Sequence, residues 1–156
     1  MLPHLEGAFS PEYNSQAKAV FFGATLRHGR AHFTRAILEA VAFMLKRNII
    51  LVEDLAGPVS EIRSTGGGAR SPLWLQIKAD VLQKPITRLE NEETALLGAA
   101  VLGAAATGIY ASPEEAVRHM VRLGQAFIPQ PANRAVYDQA YAGYVELYER
   151  LEPMFR

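Results

Sequence analysis

The sequence predicts an α/β fold, and three observations predict it. Two short apolar segments with strand character, 59–62 and 85–89, flank a helical segment at 71–83. Segments of helical periodicity precede and follow this unit, and strands that alternate with helices are typical of parallel pairing with a right-handed crossover. The chain has 156 residues, 49% of them apolar, which is enough for one domain with a core of ordinary size.

Composition excludes several classes of function. The 16 basic and 16 acidic residues give a formal net charge of zero, which argues against a nucleic-acid-binding or membrane-surface protein. There is no cysteine, so a disulfide framework or a thiolate metal site is excluded. The first residues lack the pattern of a signal peptide, and the small apolar run 95–107 is too short to span a bilayer. We expect a cytoplasmic protein with no nucleic-acid or membrane partner; a homo-oligomer is compatible with the composition.

The N-terminal third is predicted to be an irregular arm followed by a long helix. Residues 1–18 contain proline and glycine without a sustained period, and the apolar run 19–22 indicates a strand or a buried loop. Apolar residues then recur at spacings of three and four from residue 30 to about residue 52, which predicts an amphipathic helix.

A polar line accompanies this helix: His28, His32, Arg35 and Glu39. Two histidines four residues apart without a nearby third ligand indicate surface or packing residues, so we expect no metal site. Arg35 and Glu39 have the spacing of an ion pair on a solvated helix face.

The central feature is the glycine run Gly66, Gly67 and Gly68, which lies between the first strand and the helix after it. Ser71 is a favourable N-cap, and Pro72 suits the first helical position. A bare backbone turn that leads into a helix N-terminus presents free N–H groups, which is the pattern of a phosphate site. The same pattern also fits a tight connection with no ligand, and both interpretations stay open at this point.

The remaining chain is predicted to be mostly helical. A helix of small apolar residues runs from about residue 91 to residue 107, a capping box at Ser112 begins a helix that runs to about residue 123, and 127–131 is an extended connector. Asn133 is expected to cap a last helix, whose tyrosines at 137, 141, 144 and 148 are expected to lie along the wet edge of a packed face. With two clear strands, the predicted sheet has unpaired edges, so either strands escape detection or further polypeptide completes the sheet.

Two alternatives for the glycine turn follow from its spacing. The pattern Gly66-x-Gly68, with Glu90 about 20 residues later, imitates a dinucleotide-binding fingerprint, but Ser71 occupies the position of the third glycine. A Walker-type loop requires Gly-Lys-Ser/Thr at the helix start, and the chain has none there.

A third alternative is an ATP site of the actin-like kind, and here the residues carry a resemblance. The run from Thr65 to Trp74, followed by Gln76 and 79–82, closely resembles the C-terminal nucleotide-binding motif of the FGGY carbohydrate kinases, above all of xylulose kinases. The segments 23–39 and 93–100 resemble the family's second signature and its small-residue helix, so the resemblance covers nearly the whole chain.

The resemblance implies that residues 1–156 are the C-terminal nucleotide-binding portion of a sugar kinase. It implies part of an actin-like ATPase (ribonuclease H-like) domain with strands missing from the sheet, because the N-terminal sugar-binding half and its catalytic aspartate are not in this chain. The residues implied to hold ATP, with Mg²⁺ bound in company with that missing half, are Gly66, Gly67, Gly68, Ala69 and Ser71. No catalytic residue is assigned, and that role is not given to Asp54, Asp80 or Asp138.

The implied reaction is transfer of the γ-phosphate of ATP to a sugar hydroxyl, with D-xylulose giving xylulose 5-phosphate. Where the family often has Gly-Glu-Arg-Ser/Thr-Pro, this chain has Gly7-Ala8-Phe9-Ser10-Pro11, so the identity of the sugar is left open. Two alternatives remain: a non-catalytic fragment or interaction module, and a dinucleotide-binding domain.

Overall fold

The computed structural model describes all 156 residues. The helices and strands, in chain order, are α1 (Arg30–Ala56), β1 (Ile62–Ser64), α2 (Pro72–Leu82), β2 (Ile86–Leu89), α3 (Thr94–Ala106), α4 (Pro113–Met120), β3 (Leu123–Phe127) and α5 (Arg134–Leu151). Short 3₁₀ turns occupy Gly67–Ala69, Pro131–Asn133 and Glu152–Met154. No helix is both long enough and apolar enough to cross a membrane.

The sheet has three strands in the order β1-β2-β3. β1 and β2 are parallel, with Ile62 opposite Ile86, so the predicted strand–turn–helix–strand unit is confirmed. β3 is antiparallel to β2 and places Phe127 opposite Ile86. The outer edge of β1 has no strand beside it, which leaves backbone donors and acceptors available for pairing.

Strand β3 is not predicted by the sequence. The predicted helix from Ser112 reaches only Met120, and Val121 is already extended. Residues 123–127, Leu-Gly-Gln-Ala-Phe, contain a glycine and bury only Phe127, so they lack the alternation that marks a strand. Pairing with β2 therefore makes this segment a strand, and local preference does not.

Two apolar clusters form the core. One joins α1, α2 and α5 beneath the N-terminal arm, and the other lies between α2 and the sheet. Tyr137, Tyr144 and Tyr148 are all at least 95% buried in the first cluster, so the prediction of a wet tyrosine edge is wrong. The reason is the arm, because Leu2 and Ala17 pack into the same cluster and exclude water from α5.

The N-terminal arm is irregular, as predicted, and is closed by one backbone pair. Leu2 N donates to Val20 O at 2.8 Å, and Val20 N donates to Leu2 O at 3.0 Å. Phe21 and Phe22 follow this pair and are 45% and 78% exposed, so the segment 19–22 is neither a regular strand nor a buried loop.

The connector between β3 and α5 is fixed to α2 by one carboxylate. Asp80 is 3% exposed, and it accepts hydrogen bonds from Gln76 Nε2, Gln130 N and Asn133 Nδ2, each at 2.8 Å. Asn133 occupies the N-cap position of α5, as predicted, but its side chain forms no capping hydrogen bond and is used on Asp80.

Candidate functional site

The turn after β1 begins with a left-handed residue. Gly66 has φ +74°, a conformation that side-chain-bearing residues rarely adopt. Its carbonyl accepts from Ala69 N at 2.9 Å, which closes the short 3₁₀ turn Gly67–Ala69. The backbone therefore reverses within three residues of the strand and runs directly into α2.

Helix α2 begins as the sequence predicts. Ser71 Oγ accepts from Trp74 N at 3.3 Å, and Pro72 occupies the first helical position. Five backbone N–H groups at this turn donate to no protein acceptor: those of Gly66, Gly67, Gly68, Ser71 and Leu73. Together with the positive end of the helix dipole, these free donors suit an anion.

The three glycines are needed for different reasons. Gly66 needs its positive φ, whereas a Cβ on Gly67 would meet nothing within 4 Å. A Cβ on Gly68 would stand 3.2 Å from Trp74 Cζ3, which is a tight contact, so this glycine makes room for the Trp74 ring; Lys78 Nζ, at 3.6 Å, would be at ordinary contact distance. The left-handed residue of the turn is Gly66, and Gly67 has no positive φ.

Ala69 contributes its side chain to the core. It is 3% exposed and packs with Leu75, Ile86 and the rest of the cluster between α2 and the sheet. A ligand at the turn could therefore contact the backbone of Ala69, while the methyl group is committed to packing.

The turn is tied to the start of α3. Arg70 Nε and Nη2 both donate to Glu92 Oε2, at 2.8 and 2.7 Å. Thr65 Oγ1 lies 3.3 Å from Thr94 Oγ1. Arg70 is thus paired with a protein carboxylate.

Lys78 lies beside the turn and is missed by the sequence reasoning. Its ammonium is 4.0 Å from the centroid of the Trp74 ring and forms no ion pair with any carboxylate. Burial without a compensating acid lowers the pKa of Lys78 from its ordinary value. The i, i+4 spacing from Trp74 is the sequence signal that could have indicated this pair.

The polar line at the start of α1 and just before it has partners that its sequence does not show. His28 Nδ1 accepts from Thr25 N at 2.9 Å, and His32 Nδ1 accepts from Gly29 N at 3.2 Å. Arg35 Nε donates to Glu39 at 2.7 Å, as predicted for the ion pair. Arg35 Nη2 also donates to Tyr137 Oη at 2.6 Å, so the pair joins α1 to α5 and is not simply solvated.

Comparisons with known proteins agree on one family. Residues 1–107 match the model of the FGGY family of carbohydrate kinases, C-terminal domain. The chain is 32% identical over 152 residues to a xylulose kinase of Staphylococcus epidermidis, covering 97% of this chain and 31% of that protein. It is 34% identical over 151 residues to a gluconokinase of Bacillus licheniformis, covering 96% of this chain and 29% of that protein.

The fold agrees with a solved relative. The crystal structure of xylulose kinase from Rhodospirillum rubrum superposes with a TM-score of 0.85 at 35% identity, covering 99% of this chain and 30% of that one. The predicted fold class, part of an actin-like ATPase (ribonuclease H-like) domain, is therefore confirmed. The chain spans about a third of the length of the relatives it matches.

Proposed function

Because this chain belongs to the FGGY family of carbohydrate kinases, we propose that its 156 residues are the nucleotide-binding portion of a sugar kinase. The observation that carries the proposal is the glycine turn with its five free N–H groups at the start of α2. The local geometry suits a phosphate, and the family is one of kinases, so the ligand we assign to the turn is ATP.

In this proposal the chain binds and orients the nucleotide. Gly66 and Gly67 present backbone donors at an open turn, and Ser71 fixes the first turn of α2 through its N-cap hydrogen bond. Bound ATP supplies the γ-phosphoryl group. Phosphoryl transfer depends on position and on charge stabilisation, so a fixed turn of free N–H donors is a suitable contribution from this part of the protein.

We propose that the acceptor is a sugar hydroxyl, with D-xylulose as the first candidate and gluconate as the second. The xylulose and gluconate kinases named above support this order. In this proposal the general base and the sugar contacts belong to polypeptide outside these 156 residues. The chain gathers no three His, Asp or Glu side chains that could hold a metal ion, so in this proposal Mg²⁺ is bound in company with that outside polypeptide.

Replacement of Gly67 by alanine tests the nucleotide assignment. A Cβ at this position meets no protein atom within 4 Å, so Gly67→Ala is expected to leave the unfolding midpoint unchanged or slightly raised. The same methyl group would occupy the space that an approaching phosphate needs, and we expect at least about a tenfold loss of ATP affinity in isothermal titration calorimetry.

Gly66→Ala serves as the comparison variant. Its φ of +74° predicts a lower unfolding midpoint whether or not a ligand binds. Wild-type chain that binds no ATP would refute the nucleotide assignment. Equal ATP affinity of the wild type and Gly67→Ala would show that the turn is only a connection between β1 and α2.

A second candidate function, a non-catalytic interaction module, is favoured by α3. This helix contains no charged residue, yet Leu96 and Leu102 are 68% and 62% exposed, and Val101 is its only buried residue. The dinucleotide alternative gains no support, because Glu90 N donates to Arg122 O and the third strand is antiparallel, whereas a dinucleotide-binding unit continues in parallel.

A further inference from the structure

Lys78 places its ammonium group beside the glycine turn. It lies in the second turn of α2, and side chains on a helix point back towards the N-terminus. Its ammonium therefore reaches the glycine turn, where Nζ would stand 3.6 Å from a Cβ on Gly68. At this distance the ammonium is in ordinary contact range of the Gly68 position.

The charge of Lys78 is not neutralised by the protein. None of the eight ion pairs of the chain includes it, and the acid next to the turn, Glu92, is already bound by Arg70. The only favourable contact of the ammonium is the face of Trp74, at 4.0 Å from the ring centroid. Desolvation lowers the pKa of Lys78, as expected for a half-buried ammonium without an acidic partner.

Trp74 holds the lysine side chain in place. The indole Nε1 donates to Leu38 O at 3.1 Å, which fixes the ring between α1 and α2. A fixed aromatic face beneath a lysine restricts where its ammonium can go, and here the ammonium stays beside the turn whose N–H groups are also free.

We propose that Lys78 is a nucleotide-binding residue, whose ammonium contacts a phosphate group of the ATP held at the glycine turn. The inference rests on the proposed function and adds to it a positive side chain that the glycine motif does not contain. A phosphate supplies the missing counter-charge, and a charge-assisted hydrogen bond from Lys78 complements the neutral backbone donors of the turn. Trp74 acts here as a positioning residue, because it orients Lys78 and makes no contact with the phosphate in this proposal.

The test compares Lys78→Met with Lys84→Met in the 156-residue chain. Lys84 lies just beyond the opposite end of α2, where it pairs with Glu53 at 2.7 Å, so both variants remove one positive charge from the same region of sequence. Calorimetry with ATP and with adenosine is the readout, and thermal unfolding confirms that each variant is folded. We expect Lys78→Met to weaken ATP binding by on the order of tenfold to a hundredfold.

The expected pattern separates a phosphate contact from a packing role. Adenosine affinity should be unchanged in Lys78→Met, ATP affinity should be unchanged in Lys84→Met, and Lys78→Arg should recover much of the ATP affinity. ATP should also raise the pKa of the Lys78 ammonium, measured by NMR, because a phosphate favours its charged form.

Three results would overturn the inference in distinguishable ways. Wild-type chain that binds no ATP removes the proposed function, and the assignment of Lys78 with it. Wild-type chain that binds ATP as tightly as Lys78→Met leaves the proposed function intact and refutes only the role of Lys78. Equal losses for ATP and adenosine would show that Lys78 acts through packing on Trp74 and not through phosphate.

Discussion

Asp80 illustrates, at the residue scale, what a sequence motif leaves out. The sequence places this carboxylate within a helix, at a position that belongs to the family motif, and does not assign it as a catalytic base. In the structure it gathers Gln76, Gln130 and Asn133 and thereby fixes the connector to α5. Two of these partners are 50 or more residues away in the chain, which is why no local pattern shows the contact.

Loss of the Asp80 carboxylate should destabilise the folded chain. Asp80→Ala leaves two or more donors without their acceptor in a buried site. We therefore expect the free energy of unfolding to fall by about 3 kcal/mol. The matched control is Asp138→Ala, because Asp138 is half exposed and pairs with Lys46 and Arg134 on the surface. In that control the free energy of unfolding should fall by less than about 1 kcal/mol. Urea unfolding measures both, and equal losses would contradict the role given to Asp80.

A second residue-scale prediction concerns His4. Its ring is 2% exposed, Nε2 has no hydrogen-bond partner, and the ring lies edge-on to Tyr148 with centroids 5.5 Å apart. Burial lowers the pKa of His4 below its ordinary value of 6.5. The unfolded chain therefore binds the proton more readily, so stability is fully present above pH 6.5 and falls as the pH drops towards the lowered native pKa.

Urea midpoints at several pH values between 8 and 5 measure this dependence, with wild type compared against two variants. His4→Phe should lose part of the pH dependence, because the titrating group is gone and the ring remains. His119→Gln, at an exposed position on α4, should keep it. A wild-type pH dependence that His4→Phe does not reduce would show that other groups carry it.

Among the helices and strands, the sequence predicts the ones whose signals lie in neighbouring residues. The strand–turn–helix–strand unit follows from the glycines, Ser71 and Pro72, and the structure confirms it with parallel pairing. β3 and the burial of the α5 tyrosines depend on pairing with β2 and on cover by the N-terminal arm, which are contacts between distant parts of the chain. Lys78 is intermediate, because its spacing from Trp74 is local but its reach to the turn depends on the fold.

Helix α3 exposes large apolar side chains, Leu96 and Leu102. Its apolar surface packs mainly on α4 and is otherwise open to water, which favours association through exposed leucines. We expect light scattering of the chain to show self-association that rises with concentration, and Leu102→Lys to reduce it at little cost in stability. Val136→Lys on α5 is the control, since Val136 is 68% exposed and lies on a different helix. A monomeric wild-type chain at all concentrations would contradict this expectation.

At the scale of the whole molecule, the chain has few buried residues for its length. Only 22 of 156 residues are buried, and large apolar side chains on α1 and α3 are exposed. The uncovered edge of β1 agrees with the strand deficit that the sequence predicts. The glycine turn is similarly open, because a Cβ on Gly66 or Gly67 would meet no atom within 4 Å.

This openness leads to the last prediction, on catalysis. A kinase needs a base for the attacking hydroxyl, and the carboxylates considered above are engaged: Asp80 by three hydrogen bonds and Asp138 by Lys46 and Arg134. We therefore expect the 156-residue chain to bind ATP and yet to form little or no ADP with D-xylulose or gluconate in a coupled assay. Turnover in the range of ordinary kinases, about 1–100 s⁻¹, would contradict this expectation. The base would then lie within the chain, and Asp54, which forms no ion pair, would be the first carboxylate to replace.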